Sequence, residues 1–231
     1  MNFLIQTIEG EVRHDFSFVL LESIKYQNWR TESKDFHAFF SDEEYPVPIT
    51  NCIPSGSVEF VQNYIKKYCG KVPLPKNVPE QLFSFACRKI FNSNEQNLPA
   101  ETRTFVKSND QIKKFTEIVD GNYILEPGNY QFSELIDIDS EWRCFVYQKK
   151  LVGLQNYAGD FTLFPDVKKI SKMIDAYSVS PIAYTLDVGI NSQATFVIEV
   201  HDFFSCGLYG FSDHTIYPFM LSQWFHEFVR K

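Results

Sequence analysis

The spacing of apolar and polar positions changes several times along this chain. Asp15 to Gln27 (DFSFVLLESIKYQ) places apolar residues at helical intervals, and Val61 to Tyr68 does so again before Gly70. Phe3 to Thr7 and Val58 to Val61 are short apolar runs predicted as strands, so the first lobe is α/β. Ile49 to Gly56, with Pro54 and Gly56, reads as a loop. Three prolines between Val72 and Pro79 predict an extended connection, and Gln81 to Phe91 then reads as a helix.

Farther on, strand and helix signals alternate with tight turns. Thr102 to Lys107 is strand-like, Gln111 to Val119 helix-like, and the apolar segments Tyr123 to Leu125 and Gln131 to Ile136 flank Pro127-Gly128. Glu141 to Tyr147 (EWRCFVY) and Leu151 to Tyr157 (LVGLQNY) predict an antiparallel hairpin around Gln148-Lys149-Lys150. A helix follows over Asp166 to Ala176. Two further strands, Ala183 to Val188 and Thr195 to Val200, are joined by the turn-rich Gly189 to Ala194, and Leu221 to Val229 closes the chain as a helix.

Composition narrows the class. With 231 residues, 44% of them hydrophobic, the chain can bury one core, or one core and a smaller lobe, without disulfide staples. The 23 phenylalanines favour a Phe-rich core over a platform for stacking bases. A net charge of −7 argues against general nucleic-acid binding, which needs clustered lysine and arginine. Cys52, Cys69, Cys87, Cys144 and Cys206 are scattered, with no C-x-x-C pair, and read as reduced thiols of a cytoplasmic protein. The first ten residues lack the basic start of a signal peptide, and no apolar run is long enough to span a membrane.

Two acidic residues stand out because each interrupts an otherwise apolar strand: Asp187 at the end of AYTLD and Glu199 within TFVIEVHD. Desolvation penalises such carboxylates unless a cation compensates them, and on neighbouring strands they would also repel one another. Magnesium, a hard ion commonly held by one or two carboxylates plus phosphates, satisfies that need. Capping of strand ends or pairing with an arginine satisfies it equally. Strand alternation puts His201 on the face of Glu199, which makes it a candidate third ligand.

The phrases YTLDVG and TFVIEVHDFFSCGLYGF resemble the metal-binding end of ATP-grasp enzymes, where an Asp and a Glu on adjacent strands, and an Asn two residues later, hold magnesium. The resemblance implies Asp187, Glu199 and His201 as metal ligands, with His201 in the place of the family's Asn. An imidazole there suits a transition metal better than magnesium, so manganese is an alternative. RTFVKSND resembles the strand whose lysine reaches the nucleotide phosphates, here Lys107. FSELIDIDSEWRCFV resembles the segment that holds adenine and ribose in D-alanyl-D-alanine ligases, with Glu134 at the adenine amine, Leu135 and Ile136 forming the slot, and Glu141 at the ribose hydroxyls. Arg143 resembles the arginine of an E-x-R signature found in small phage and bacterial ATP-grasp proteins and in a cell-division-protein type, where it contacts phosphate.

The resemblance covers residues 84–231 and departs from the family pattern in two places. The loop after Lys107, SNDQIKK, lacks glycines, and Thr185 stands where relatives carry an arginine. Arg88 is the first candidate to replace the missing cation, with Arg103, Lys113 and Lys114 after it. The implied fold class is α+β, an ATP-grasp fold of two α/β subdomains over residues 84–231, preceded by a small α/β lobe over 1–83.

The implied function is an ATP-dependent ligase that joins a carboxylate to an amine or other nucleophile through an acyl phosphate, with Lys107 and Arg143 as the catalytic cations. A nucleotide-binding assembly or scaffold protein on the same fold is the alternative. The second substrate could be an amino acid, a peptide, a protein side chain or a modified nucleotide. No G-x-S-x-G, H-E-x-x-H or P-loop pattern supports a different enzyme class, and the Cys206 to Gly210 segment reads as a glycine-rich turn.

Overall fold

The computed structural model describes residues 1–98, 103–112, 114–192 and 194–230. By proximity of Cα atoms the chain groups into two units. One comprises Met1–Pro73, Pro181–Tyr184 and Asp202–Lys231, and the other Leu74–Ser180 and Thr185–His201. Among the described residues no helix is long and apolar enough to cross a membrane.

The first unit begins with β1 (Asn2–Gln6), α1 (Asp15–Arg30), β2 (His37–Ser41), β3 (Cys52–Ser55) and α2 (Val58–Cys69). The strands form a parallel sheet in the order β2-β1-β3, with Phe3 level with Ala38 on one side and Ile53 on the other. Central β1 contributes the buried apolar run Phe3, Leu4 and Ile5, whose successive side chains point to opposite faces, so both faces of the sheet are covered here. Asp15 starts α1 by accepting the Phe16 amide at 2.7 Å. Tyr217 and Phe203, from the late part of the chain, each pack tilted against Phe16 with ring centroids 5.3 Å away and edge-on to one another at 5.4 Å, and the Tyr217 hydroxyl donates to the Phe16 carbonyl at 2.8 Å. Each such ring removed from water contributes about 1.5–3 kcal/mol.

The second unit opens with a 3-10 turn over Glu80–Phe85 and continues through β4 (Ile90–Ser93), β5 (Arg103–Ser108), β6 (Thr116–Asp120), β7 (Tyr130–Ser133), β8 (Ser140–Tyr147), β9 (Lys150–Gly159), α3 (Val167–Ala176) and most of β10 (Ala183–Ile190) and β11 (Thr195–Asp202), whose residues Ala183, Tyr184 and Asp202 group with the first unit. The terminal helix α4 (Tyr217–Arg230) belongs to the first unit. Two four-stranded sheets result, ordered β4-β7-β5-β6 and β11-β10-β8-β9. Val106, Val119, Leu125, Tyr130 and Phe132 form the core under the first of these sheets. The β8–β9 hairpin turns on Gln148 and Lys149, both at positive φ (50° and 63°), the two-residue geometry whose twist matches the strands. Asp166 caps α3 by accepting the Lys168 and Lys169 amides.

Several expectations from sequence are corrected. Val58 to Val61 is the first turn of α2 rather than a strand, because Ser57 caps the Phe60 amide and Phe60, Val61, Tyr64 and Ile65 face the core at helical spacing. The predicted loop Ile49 to Gly56 contains strand β3, which tolerates Pro54 because it pairs with β1 alone. Gln81 to Phe91 is not one helix but a short 3-10 turn, a bend and the start of β4. Gln111 to Val119 ends in β6 instead of a helix: Thr116 and Ile118 are β-branched and pair with Lys107 and Phe105 across the sheet. Thr102 and Lys113 lie outside the described residues.

Candidate functional site

Strands β8, β9, β10 and β11 carry the polar residues of one sheet face. Arg143 and Glu141 alternate onto that face from β8, Asp187 comes from β10, and Glu199 and His201 from β11. Asp187 is 1% exposed and Arg143 6%, and the guanidinium grips the carboxylate at both oxygens: Nε donates to Oδ1 at 2.8 Å and a terminal nitrogen to Oδ2 at 2.6 Å. That two-point fork is the strongest geometry available to a carboxylate and an arginine.

Glu199 is treated differently. One oxygen accepts from the Lys107 ammonium and the other lies 2.7 Å from His201 Nε2. Lys107 arrives from β5, where alternation turns Thr104, Val106 and Ser108 to the core and leaves Phe105 and Lys107 on the opposite face. Burial by itself would raise the Glu199 pKa, but the hydrogen bond and charge of His201 and the nearby Lys107 outweigh it and hold the carboxyl well below the usual carboxylate range.

Asp187, Glu199 and His201 thereby each offer a donor atom within 4.8 Å of the others, the only such cluster among the described residues. An octahedral ion with bonds of about 2.1 Å sets opposite ligands about 4.2 Å apart, so a small contraction suffices to hold one. Each carboxylate oxygen has lone pairs beyond those used by the arginine and lysine. The donor set therefore fits a divalent cation, and the arginine pairing open at the sequence level is present as well.

Tyr157 is a residue that sequence reasoning missed. The β8–β9 ladder slips between Glu141 and Trp142, so that Ala158 lies opposite Glu141, Asn156 lies opposite Trp142, and Tyr157 becomes the extra residue of a bulge. Its hydroxyl donates to Glu141 at 2.7 Å, and its ring lies 5.7 Å from the Arg143 guanidinium. Burial, then the Asp187 charge and the bond to Glu141, push the phenol pKa far up, which keeps it a donor. The only signal in the sequence was strand parity with the residue opposite Arg143.

Other predicted residues lie elsewhere. Glu134, Leu135 and Ile136 sit in the extended linker between β7 and β8. The Glu134 carboxylate accepts the Lys89 amide at 2.9 Å, and Leu135 is 43% exposed. Arg88 is not on a helix; it lies close enough to feel the Glu199 charge, but its hydrogen bonds go elsewhere. It donates to the Ser133 hydroxyl at 2.7 Å and to the carbonyls of Ala86 and Val197 at 3.0 and 2.9 Å. Arg103 pairs with Asp120 at the surface, and Lys114 is exposed. Thr185 is wholly buried and supplies no charge. The glycine-poor loop after Lys107 is pinned instead by Asp110, which accepts the amide and side chain of Asn129, each at 2.8 Å.

Comparison with known proteins places this arrangement. The sequence profile of an ATP-grasp domain, family 2 of one clade of that superfamily, matches residues 85–218. No curated protein matches the chain by sequence. In solved structures, D-alanine–D-alanine ligase from Bacillus anthracis superposes with a TM-score of 0.55 at 10% identity, over 99% of this chain and 98% of that one. A RimK domain ATP-grasp protein from Sphaerobacter thermophilus gives 0.55 at 9% identity over the full length of both chains. The macrocyclase MdnC from Microcystis aeruginosa, bound with precursor peptide MdnA, gives 0.50 at 12% identity over 95% of this chain and 99% of the other. Identities this low establish a shared fold and nothing finer.

Proposed function

This chain belongs to the ATP-grasp family, and we propose that it is an ATP-dependent ligase that activates a carboxylate as an acyl phosphate and passes it to a nucleophile. The observation that carries the proposal is the convergence of Asp187, Glu199 and His201 with Arg143 and Lys107 already paired to the two carboxylates. Two carboxylates matched by two cations leave no net charge to attract a bare ion. A nucleotide that carries its own divalent cation supplies both partners at once: the carboxylates receive the cation, and Lys107 and Arg143 receive phosphate oxygens.

In this reading Asp187, Glu199 and His201 would hold the cation, which would supply charge neutralisation to the phosphates. Lys107 neutralises phosphate as a mobile point charge, whereas Arg143, fixed by Asp187, is preorganised against the charge that develops as the acid attacks the γ-phosphate. Glu141, oriented by Tyr157, accepts ribose hydroxyls, and Leu135 and Ile136 with Glu134 receive adenine on the linker. Arg88 straps the β11 backbone beside Glu199 and adds a positive charge to the phosphate side of the site. Residues 84–231 carry the nucleotide chemistry and residues 1–83 shape the acceptor side. A peptide or protein acceptor is the class supported by the macrocyclase bound with its precursor peptide.

Titration calorimetry with a non-hydrolysable ATP analogue tests the core of this reading. Binding should weaken at least about tenfold when divalent cations are chelated. Absence of any binding at millimolar nucleotide, about 4 kcal/mol, refutes it. A screen of acids against amines and peptides for ADP release then separates a ligase from a nucleotide-binding scaffold.

A further inference from the structure

We propose that the cluster of Asp187, Glu199 and His201 selects manganese, a first-row transition cation, over magnesium, and that His201 Nε2 is the ligand that discriminates. The inference rests on reading this cluster as a metal centre. It concerns which cation the centre prefers.

Three features support it. The imidazole is already at the site: Nε2 lies 2.7 Å from Glu199 Oε1, within the cluster whose donor atoms lie inside 4.8 Å. This placement is built into β11, because residues two apart on a strand share a face, so His201 follows Glu199 wherever the strand goes. The His201 side chain is 40% exposed, which leaves the ring room to turn. As a neutral ring with its proton on Nδ1, His201 would present the Nε2 lone pair to a cation.

Ligand chemistry then decides between cations. Magnesium prefers an all-oxygen shell and gives up water reluctantly, so replacing an oxygen donor by imidazole costs it affinity. Manganese shares the preference of magnesium for carboxylate and phosphate oxygens, so it suits the rest of the shell, and as a first-row transition ion, although the weakest binder of that series, it tolerates an imidazole nitrogen better than magnesium does. Zinc also takes imidazole and keeps an open position in catalytic sites, but it prefers four-coordination, whereas two carboxylates, an imidazole and the phosphate oxygens of a nucleotide make a larger shell.

Electron paramagnetic resonance tests the proposal on the full chain, with manganese and β,γ-methylene ATP as probes. The protein is prepared with 15N-labelled histidine, so that echo-envelope spectra separate imidazole from adenine nitrogen. The expected result is a 15N coupling to bound manganese that His201→Asn abolishes, and a magnesium concentration for half-displacement that falls at least about tenfold in the variant. Manganese bound without histidine coupling, or displaced by magnesium equally in both proteins, overturns the selectivity and leaves the metal centre standing. If the protein binds no manganese with the nucleotide, the metal centre itself is refuted. The coupling in the unsubstituted protein is decisive even if the variant folds poorly.

Discussion

The two carboxylates of the site lie on adjacent strands of one sheet, yet the protein compensates them in opposite ways. Asp187 is sealed: 1% exposed, gripped at both oxygens by an arginine from the same sheet, and flanked by apolar β10 neighbours. Glu199 is held by a lysine from a different sheet and by a histidine that is 40% exposed, its own side chain 18% exposed. A planar fork loses little further freedom once seated, whereas an ammonium on a four-carbon stem exchanges partners at low cost. The comparison assigns the Asp187 end to architecture and fixed electrostatics, and the Glu199 end to exchange between empty and loaded states.

Four substitutions can break or sharpen that division. The largest effect is expected at the sealed end. Asp187→Asn leaves a buried guanidinium without its counter-charge and should cost about 3–5 kcal/mol, a fall of roughly 10 °C in thermal midpoint. Glu199→Gln should cost far less stability, and equal losses in paired thermal melts would erase the distinction between the two ends.

Second, Glu199→Gln should lower cation-dependent nucleotide affinity about a hundredfold, near 2.7 kcal/mol, in calorimetry at neutral pH. The same variant bears on acid stability. The folded pKa of Glu199 is depressed, so below its unfolded value of about 4.3 the unfolded chain binds the extra proton and stability falls with pH. The contribution is complete above that value and is lost as pH drops through the folded pKa. Denaturant titrations from neutral pH downward should show a shallower acid decline in Glu199→Gln, and identical slopes would remove the carboxylate from the account.

Third, Arg143→Ala, in a variant population shown to be folded, should reduce turnover at least about tenfold, or 1.4 kcal/mol of barrier, with nucleotide affinity reduced less. A scaffold would show only altered nucleotide-linked stability. The smallest effect belongs to Tyr157→Phe. Losing one hydrogen bond to Glu141 should raise the Michaelis constant for ATP about fivefold, near 1 kcal/mol, leaving kcat within a factor of about two. A larger loss in kcat than in affinity would show that the ring against Arg143 matters more than the hydroxyl.

The sequence by itself determined which chemistry was available. Apolar strands interrupted by Asp187 and Glu199 signal carboxylates in need of a cation, and the alternation of β11 ties His201 to Glu199 without reference to any other element. Helices α1 and α3 and the β8–β9 hairpin were legible for the same reason: their periods and turns are local. Elsewhere local pattern misled. Apolar Val58 to Val61 belongs to a helix because Ser57 caps it and the core lies on one side, and Thr116 to Asp120 is a strand because β5 offers it a partner.

Only the tertiary structure decided how the charges are shared. Lys107 and Glu199 are 92 positions apart, and Arg143 and Asp187 are 44 apart. Nothing local in the sequence indicates that Arg143 would be committed to a carboxylate, that Arg88 would fasten to the β11 backbone, or that a bulge would leave Tyr157 beside Glu141. Residue type fixes what a side chain can donate or accept, but the partner that claims it is set by which strands become neighbours.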